Sequence, residues 1–197
     1  DEPAGPVAAI TDDPEAVTRW ERSLVASLDG RDLAGVHVVV DAAHGAGSQA
    51  APRVLRALGA RVDLLHAEPD GTNINDGCGS THPGALQDAV VRLGAHAGIA
   101  LDGDADRALA VDAGGRLIDG DQILAVTAID RKARQALRGD AVVVTVMTNL
   151  GFHRGMAARG IDVVQVPVGD RHVLAAMADH DLVLGGEQSG HVVFGDL

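Results

Sequence analysis

Short β-branched runs alternate with stretches of helical period, and the whole alternation happens twice along the chain. In the first round GVHVVVD (Gly35 to Asp41) reads as a strand, AAHGAGSQ as a glycine-rich turn and APRVLRALGA as a helix closed by Gly59. ARVDLLHA follows as a second strand, PGALQDAVVRLGAH as a second helix, and GIALD as a third strand that opens into GDADR. The second round runs AVVVTVM, NLGFHRGMAARG, IDVVQVPV, DRHVLAAMAD and DLVLGG, opening into EQSGH. Parallel neighbours need a crossover, so this order predicts an α/β fold: two tandem domains, each a mixed, mostly parallel sheet covered by helices. The 197 residues are enough for two such units, which need roughly 100 residues each.

Between the rounds, ALAVDAGGRLIDGDQILAVTAIDRKARQAL predicts a hairpin turning at Gly114 and Gly115, then a long helix from about Asp121. The boundary falls near Leu117 to Gly120, giving domains 1–118 and 119–197. Ahead of the first strand, TDDPEAVTRWERSLVASL predicts a lead-in helix over Thr11 to Leu28, with Thr11 or Asp12 as N-cap and Pro14 near the first turn. The closing HVVFGDL reads as a strand without a terminating element, so the chain reads as a fragment truncated at its C-terminus.

Composition narrows the partners. Hydrophobic residues are 46% of the chain and aromatics only 2%, so the core must be built from Val, Leu, Ile and Ala. A net charge of -12 excludes nucleic acid and anionic membrane surfaces as partners, because phosphate backbones are held by clustered Lys and Arg. Lys132, the single lysine, follows a helical run and reads as solvated. Cys78 is the single cysteine, which rules out an internal disulfide framework and fits a reducing, cytoplasmic setting. No apolar run approaches the roughly 18 residues of a membrane span, and the acidic start lacks the features of a signal peptide.

Chemistry concentrates in the two loops that follow the third strands, the end of a parallel sheet where ligands bind. In LDGDADR, Asp102, Asp104 and Asp106 alternate with Gly103 and Ala105. Extended, such carboxylates would stand roughly 7 Å apart on one face. Only a tight loop brings them to one ion at about 2.1 Å. Gathered without a cation they repel and raise one another's pKa values, so a hard divalent metal such as Mg²⁺ resolves the conflict. A solvated acidic turn is the plain alternative. A calcium EF-hand needs Gly and Glu where Arg107 and Ala113 stand, and fails. An aspartyl-nucleophile phosphatase, with Asp102 phosphorylated and Asp104 as acid, is contradicted by Asp106. In GGEQSGH, Glu187, Gln188, Ser189 and His191 are set among glycines that present them to a polyhydroxylated ligand. His44 sits in a tight glycine turn, and Ser48 reads as a helix N-cap, not as a nucleophile.

LDGDADRALAVDAGG, DGDQI, VGDRHV and GEQSGH together resemble the α-D-phosphohexomutases over almost the whole chain. DGTNINDGCGSTHP and Gln188 are similar to that family's phosphoglucosamine mutase branch. The resemblance implies that Asp102, Asp104 and Asp106 bind Mg²⁺ and that Arg107 sits beside a phosphate. It implies that Glu187 and Ser189, with Gln188, bind a hexosamine phosphate, and that Asp170 and Arg171 line the same cleft. For His191 it leaves two roles open, proton transfer near the reacting hydroxyl or loop stabilisation. The implied reaction is phosphoryl exchange between glucosamine 6-phosphate and glucosamine 1-phosphate through a phosphoserine and a bisphosphate intermediate, feeding peptidoglycan precursor synthesis. No TASHNP-like serine segment and no RxSGTEP-like phosphate loop occur in these residues. The family carries them in flanking domains, so no mutase turnover is expected from this chain alone. Phosphoglucomutase or phosphomannomutase chemistry, and a non-catalytic metal or sugar-phosphate module, are the alternatives; a homodimer is compatible with all of them.

Overall fold

A computed structural model of the chain describes residues 12–197. Its first sheet holds β1 (His37–Asp41), β2 (Arg61–Leu65), β3 (Ala97–Leu101), β4 (Ala108–Asp112) and β5 (Leu117–Ile118), ordered β2-β1-β3-β4-β5. Its second holds β6 (Ala141–Thr145), β7 (Asp162–Val166), β8 (Leu184–Gly186) and β9 (Val192–Phe194), ordered β7-β6-β8-β9. In each sheet the first three strands run parallel and the strand after the third turns back antiparallel.

In each sheet the most β-branched strand lies between two parallel neighbours. HVVVD and AVVVT are buried along their whole length because helices cover both faces, whereas β2 and β7 at the edges are only partly buried. The crossovers are α2 (Gly47–Ala57) and α3 (Gly84–Leu93) in the first half, α5 (Leu150–Ala157) and α6 (Asp170–Asp179) in the second. Val39, Leu86, Ala89, Val90, Ala100 and Val111 form the first core, and Val142, Val144, Phe152, Met156 and Leu184 anchor the second. Full burial of each of the larger side chains among them stabilises by about 1.5–3 kcal/mol. The core is mostly aliphatic, as the composition requires, with Phe152, Met156 and Met177 added to it.

The linking helix α4 (Gly120–Ala133) starts with a capping box: Asp119 accepts from the Gln122 N–H at 3.0 Å, and the Gln122 side chain accepts from the Asp119 N–H at 3.1 Å. Leu124 and Ala128 of α4 pack into the second core.

Three expectations are corrected. The lead-in helix α1 spans Ala16–Ala26, with Glu15 as an N-cap that makes no side-chain capping bond. Asp12 does not cap it; the Asp13 carboxylate accepts from the Glu15 N–H instead, and Thr11 lies outside the described residues. Ser48 is not an N-cap either. α2 begins one residue earlier, so Ser48 sits in the first turn and its hydroxyl donates to the Gly45 carbonyl at 2.7 Å. Lys132 is not free in solvent: its ammonium donates to the Gly160 carbonyl at 2.6 Å and lies 3.0 Å from Asp140.

Candidate functional site

The acidic loop leaves the end of β3 and doubles back at once. Ala105 adopts φ 61, and its N–H donates to the Asp102 carbonyl at 3.1 Å. The reversal replaces the spread of an extended strand with convergence: one carboxylate oxygen from each of Asp102, Asp104 and Asp106 lies within 4.8 Å of the others. Asp102 is buried, while Asp104 and Asp106 are exposed. Asp102 accepts from the Arg107 N–H at 3.1 Å and from the Arg107 guanidinium at 2.6 and 2.7 Å. Arg107 Nε also lies 3.4 Å from Asp106.

The electrostatics differ across the trio. Burial pushes the Asp102 carboxyl up, but the main-chain and guanidinium bonds from Arg107 outweigh it and hold Asp102 below the ordinary carboxylate value. Asp106 is pushed above that value, by burial first, then by its contact with Asp102 and repulsion from Asp102 and Asp104, with His191 opposing. One arginine therefore does not neutralise three carboxylates. The excess negative charge faces solvent, and the donor set is the all-oxygen kind that suits a hard divalent cation.

The loop is seated by close backbone contact. The Gly103 carbonyl accepts from the Ala46 N–H at 2.8 Å, and a Cβ on Gly45 would run into that same carbonyl. A Cβ on Gly103 would meet Ile74 and Asn75 at 2.6 Å. The turn through Ala43 and His44, at φ 53 and 50, is tied in turn by Asp41. Asp41 is wholly buried at the end of β1; one oxygen takes the Ala43 N–H and the other the Gly79 N–H and His66 Nδ1, each at 3.0 Å. Sequence reasoning missed Asp41 and His66, whose partners are 25 and 38 residues from Asp41 along the chain. Asp41, His66 and Cys78 also bring donor atoms within 4.8 Å of one another. Both Asp41 oxygens are already engaged, however, and burial together with Asp41 and Asp76 pushes the Cys78 thiol up, so this trio ties the fold.

The second loop, from the end of β8, is a tight turn closed on itself. The Glu187 N–H donates to the His191 carbonyl at 2.9 Å, and the Gly190 N–H, at φ 97, to the Glu187 carbonyl at 3.1 Å. Glu187 Oε1 accepts from the Gly169 N–H at 3.0 Å, which binds the loop to the start of α6. Glu187, Gln188 and Ser189 line an open cleft of about 340 Å³ together with Asp119, Thr145, Met147 and Val168. Asp170 and Arg171 do not line it. They stand exposed at the first turn of α6, next to Gly169, whose N–H binds Glu187.

The two loops meet edge to edge. The Ala108 N–H donates to the Gly190 carbonyl and the Gly120 N–H to the Gln188 carbonyl, both at 3.0 Å. His191 Nδ1 lies 3.5 Å from Asp106 Oδ2. Cβ atoms on Gly120 or Gly190 would strike the carbonyls of Glu187 and Ala108, so glycine is required for this approach. The acidic trio and the Glu187 turn thus form one continuous site across the two sheets.

Residues 17–115 match the domain family described as phosphoglucomutase/phosphomannomutase, alpha/beta/alpha domain II, and residues 119–197 match domain III of the same description. The chain belongs to the phosphoglucomutase/phosphomannomutase family. Within it the chain is similar to phosphoglucosamine mutases. It is 56% identical to that of Parafrankia sp. (strain EAN1pec) over 193 residues, covering 97% of this chain and 41% of that protein. It is 54% identical to that of Symbiobacterium thermophilum over 191 residues, covering 97% and 42%. The chain therefore spans about two fifths of the length of the curated relatives it matches. A phosphoglucomutase/phosphomannomutase family protein from Burkholderia thailandensis superposes with a TM-score of 0.79 at 29% identity, over 91% of this chain and 39% of that one. The N-acetylphosphoglucosamine mutase of Aspergillus fumigatus, solved with GlcNAc-6P and magnesium, shares the fold with a TM-score of 0.68 at 24% identity, over 89% and 37%. Among the described residues no helix is long and apolar enough to cross a membrane.

Proposed function

We propose that this chain is the metal- and sugar-binding centre of a phosphoglucosamine mutase, an isomerase that interconverts glucosamine 6-phosphate and glucosamine 1-phosphate through a phosphoserine. It comprises a metal-loop domain, 1–118, and a sugar-loop domain, 119–197. The observation that carries the reading is the junction of the two loops: three converging carboxylates on one side, the Glu187 turn on the other, with Asp106 and His191 3.5 Å apart between them.

Asp102, Asp104 and Asp106 hold Mg²⁺. Two of them are exposed, Arg107 alone does not offset the three charges, and a cation relieves their repulsion. When bound, the ion stabilises charge on a transferring phosphoryl group. Arg107 holds Asp102 in place through paired bonds while its side chain remains 42% exposed, open to a phosphate. Glu187 and Ser189 accept and donate to sugar hydroxyls, with Gln188 beside them. His191 carries a proton near the reacting hydroxyl, and Asp170 and Arg171 guard the approach at the α6 start. The serine nucleophile and the distal phosphate loop come from flanking domains of the parent protein, which acts in the cytoplasm in amino-sugar supply for peptidoglycan.

Turnover of glucosamine, glucose and mannose 6-phosphates by the complete protein with Mg²⁺ tests the reading. Glucosamine 6-phosphate is expected to have the highest kcat/KM, and the 197 residues alone are expected to give none. A preference for mannose 6-phosphate rejects the assignment.

A further inference from the structure

We propose that Asp119 is the residue that selects an amino sugar, receiving the ammonium group of a hexosamine phosphate together with Glu187. The proposal rests on the mutase reading above and adds to it the origin of substrate preference.

The chemistry of the cleft points this way. Of the residues that line it, the ionisable ones are Asp119 and Glu187, and no Lys, Arg or His joins them. Carboxylates only accept hydrogen bonds, so two of them in one cleft lack a positive partner. A neutral hexose brings hydroxyls that lessen this little. An ammonium brings three donors and a compensating charge, and its hydrogen bonds to carboxylates are the strong, charge-assisted kind. The phosphate end of the substrate is repelled by the same two groups and is directed toward the cation side of the site.

Both carboxylates are held still with one oxygen to spare. Asp119 Oδ1 accepts from the Gln122 N–H at 3.0 Å in the capping box of α4. Glu187 Oε1 accepts from the Gly169 N–H at 3.0 Å. Asp119 Oδ2 and Glu187 Oε2 have no hydrogen-bond partner among the described residues. The bond from the Gly120 N–H to the Gln188 carbonyl fixes the α4 start against the turn that carries Glu187. The pair is pre-set before any ligand arrives, which spares the cost of ordering it on binding.

Asp119→Asn separates the two jobs of this residue, because asparagine caps a helix as well as aspartate but carries no charge. Asp119→Ser is the second variant, with the same cap and a shorter side chain. In the complete protein, each is expected to lower the ratio of kcat/KM for glucosamine 6-phosphate to that for glucose 6-phosphate about tenfold, the scale of one solvent-accessible charge-assisted bond. The change should lie mainly in KM for the amino sugar. A ratio unaltered in both variants, with glucosamine 6-phosphate still turned over, overturns the role of Asp119 and leaves the mutase reading standing. Turnover of none of the hexose 6-phosphates by the unmodified protein overturns both.

Discussion

The two halves share a plan and differ in what their third strands deliver. In each, a fully buried Val-rich strand is flanked by a parallel neighbour on either side, and the strand after the third returns antiparallel. At the end of β8 the turn satisfies itself, with main-chain bonds across the Glu187 turn and one carboxylate oxygen held by Gly169. At the end of β3 the turn gathers three carboxylates around a single arginine and is left with excess charge. The same framework thus supports one loop that is complete by itself and another that is left with surplus negative charge. The difference lies in side-chain charge, not in topology.

The sharpest way to break that contrast is to remove the charge. In the complete protein, replacing Asp104 and Asp106 by alanine is expected to lower Mg²⁺-dependent turnover at least about a hundredfold, since a metal contributes several kcal/mol to the transition state. Melting in EDTA should stay level or rise, because mutual repulsion is gone. Turnover equal to the parent would mean that the first loop needs no ion.

A second comparison concerns buried carboxylates. Asp41 in the first half has both oxygens filled by N–H donors, whereas Asp121 in the second is buried with Oδ1 unpartnered and Oδ2 taking the N–H and the amide of Asn149. Asp41→Asn turns an amide NH₂ against donors and is expected to cost about 2 kcal/mol in urea unfolding. Asp121→Asn keeps the needed acceptor and replaces the orphan oxygen, so it should cost well under 1 kcal/mol. Equal losses would show that the two sites are alike after all.

The glycine at the junction gives an effect of the same size. Gly190→Ala adds a Cβ at φ 97 against the Ala108 carbonyl and is expected to cost about 2 kcal/mol. Gly84→Ala, at the start of α3 with open space around it, should stabilise by roughly 0.5 kcal/mol.

The smallest effect is in acid. Asp102 lies below its ordinary pKa, so its contribution to stability is full above that value and is lost as pH falls through the folded one. Asp106 lies above its ordinary value, so its contribution is full below that value and is lost as pH rises through the folded one. Metal-free melting temperature should therefore rise slightly as pH falls from neutrality into the Asp106 range, then drop when Asp102 is protonated. Asp106→Asn should erase the rise and leave the drop.

Much of this was legible in the residues. Runs such as HVVVD and AVVVT signal buried parallel strands, and a polar loop after each third strand marks the ligand end of the sheet. The helix starts were harder. Ser48 looks like a cap, but the backbone before it is held by the bond from the Ala46 N–H to the Gly103 carbonyl, between residues far apart in sequence. The capping box of α4 was there to be read in DGDQ, and its Asp119 turns out to face the cleft. Asp41 and Asp121 had no local signal, because their partners arrive from other crossovers. The cleft itself contains fewer of the expected residues than the motif VGDRHV suggested, since Gly169 at φ 124 starts α6 just beyond its rim.

The junction between the loops is made of peptide groups: Ala108 to Gly190 and Gly120 to Gln188. Because these bonds join main-chain groups, the side chains around them can be exchanged without shifting where the two posts stand, provided that the two glycines at the seam stay bare.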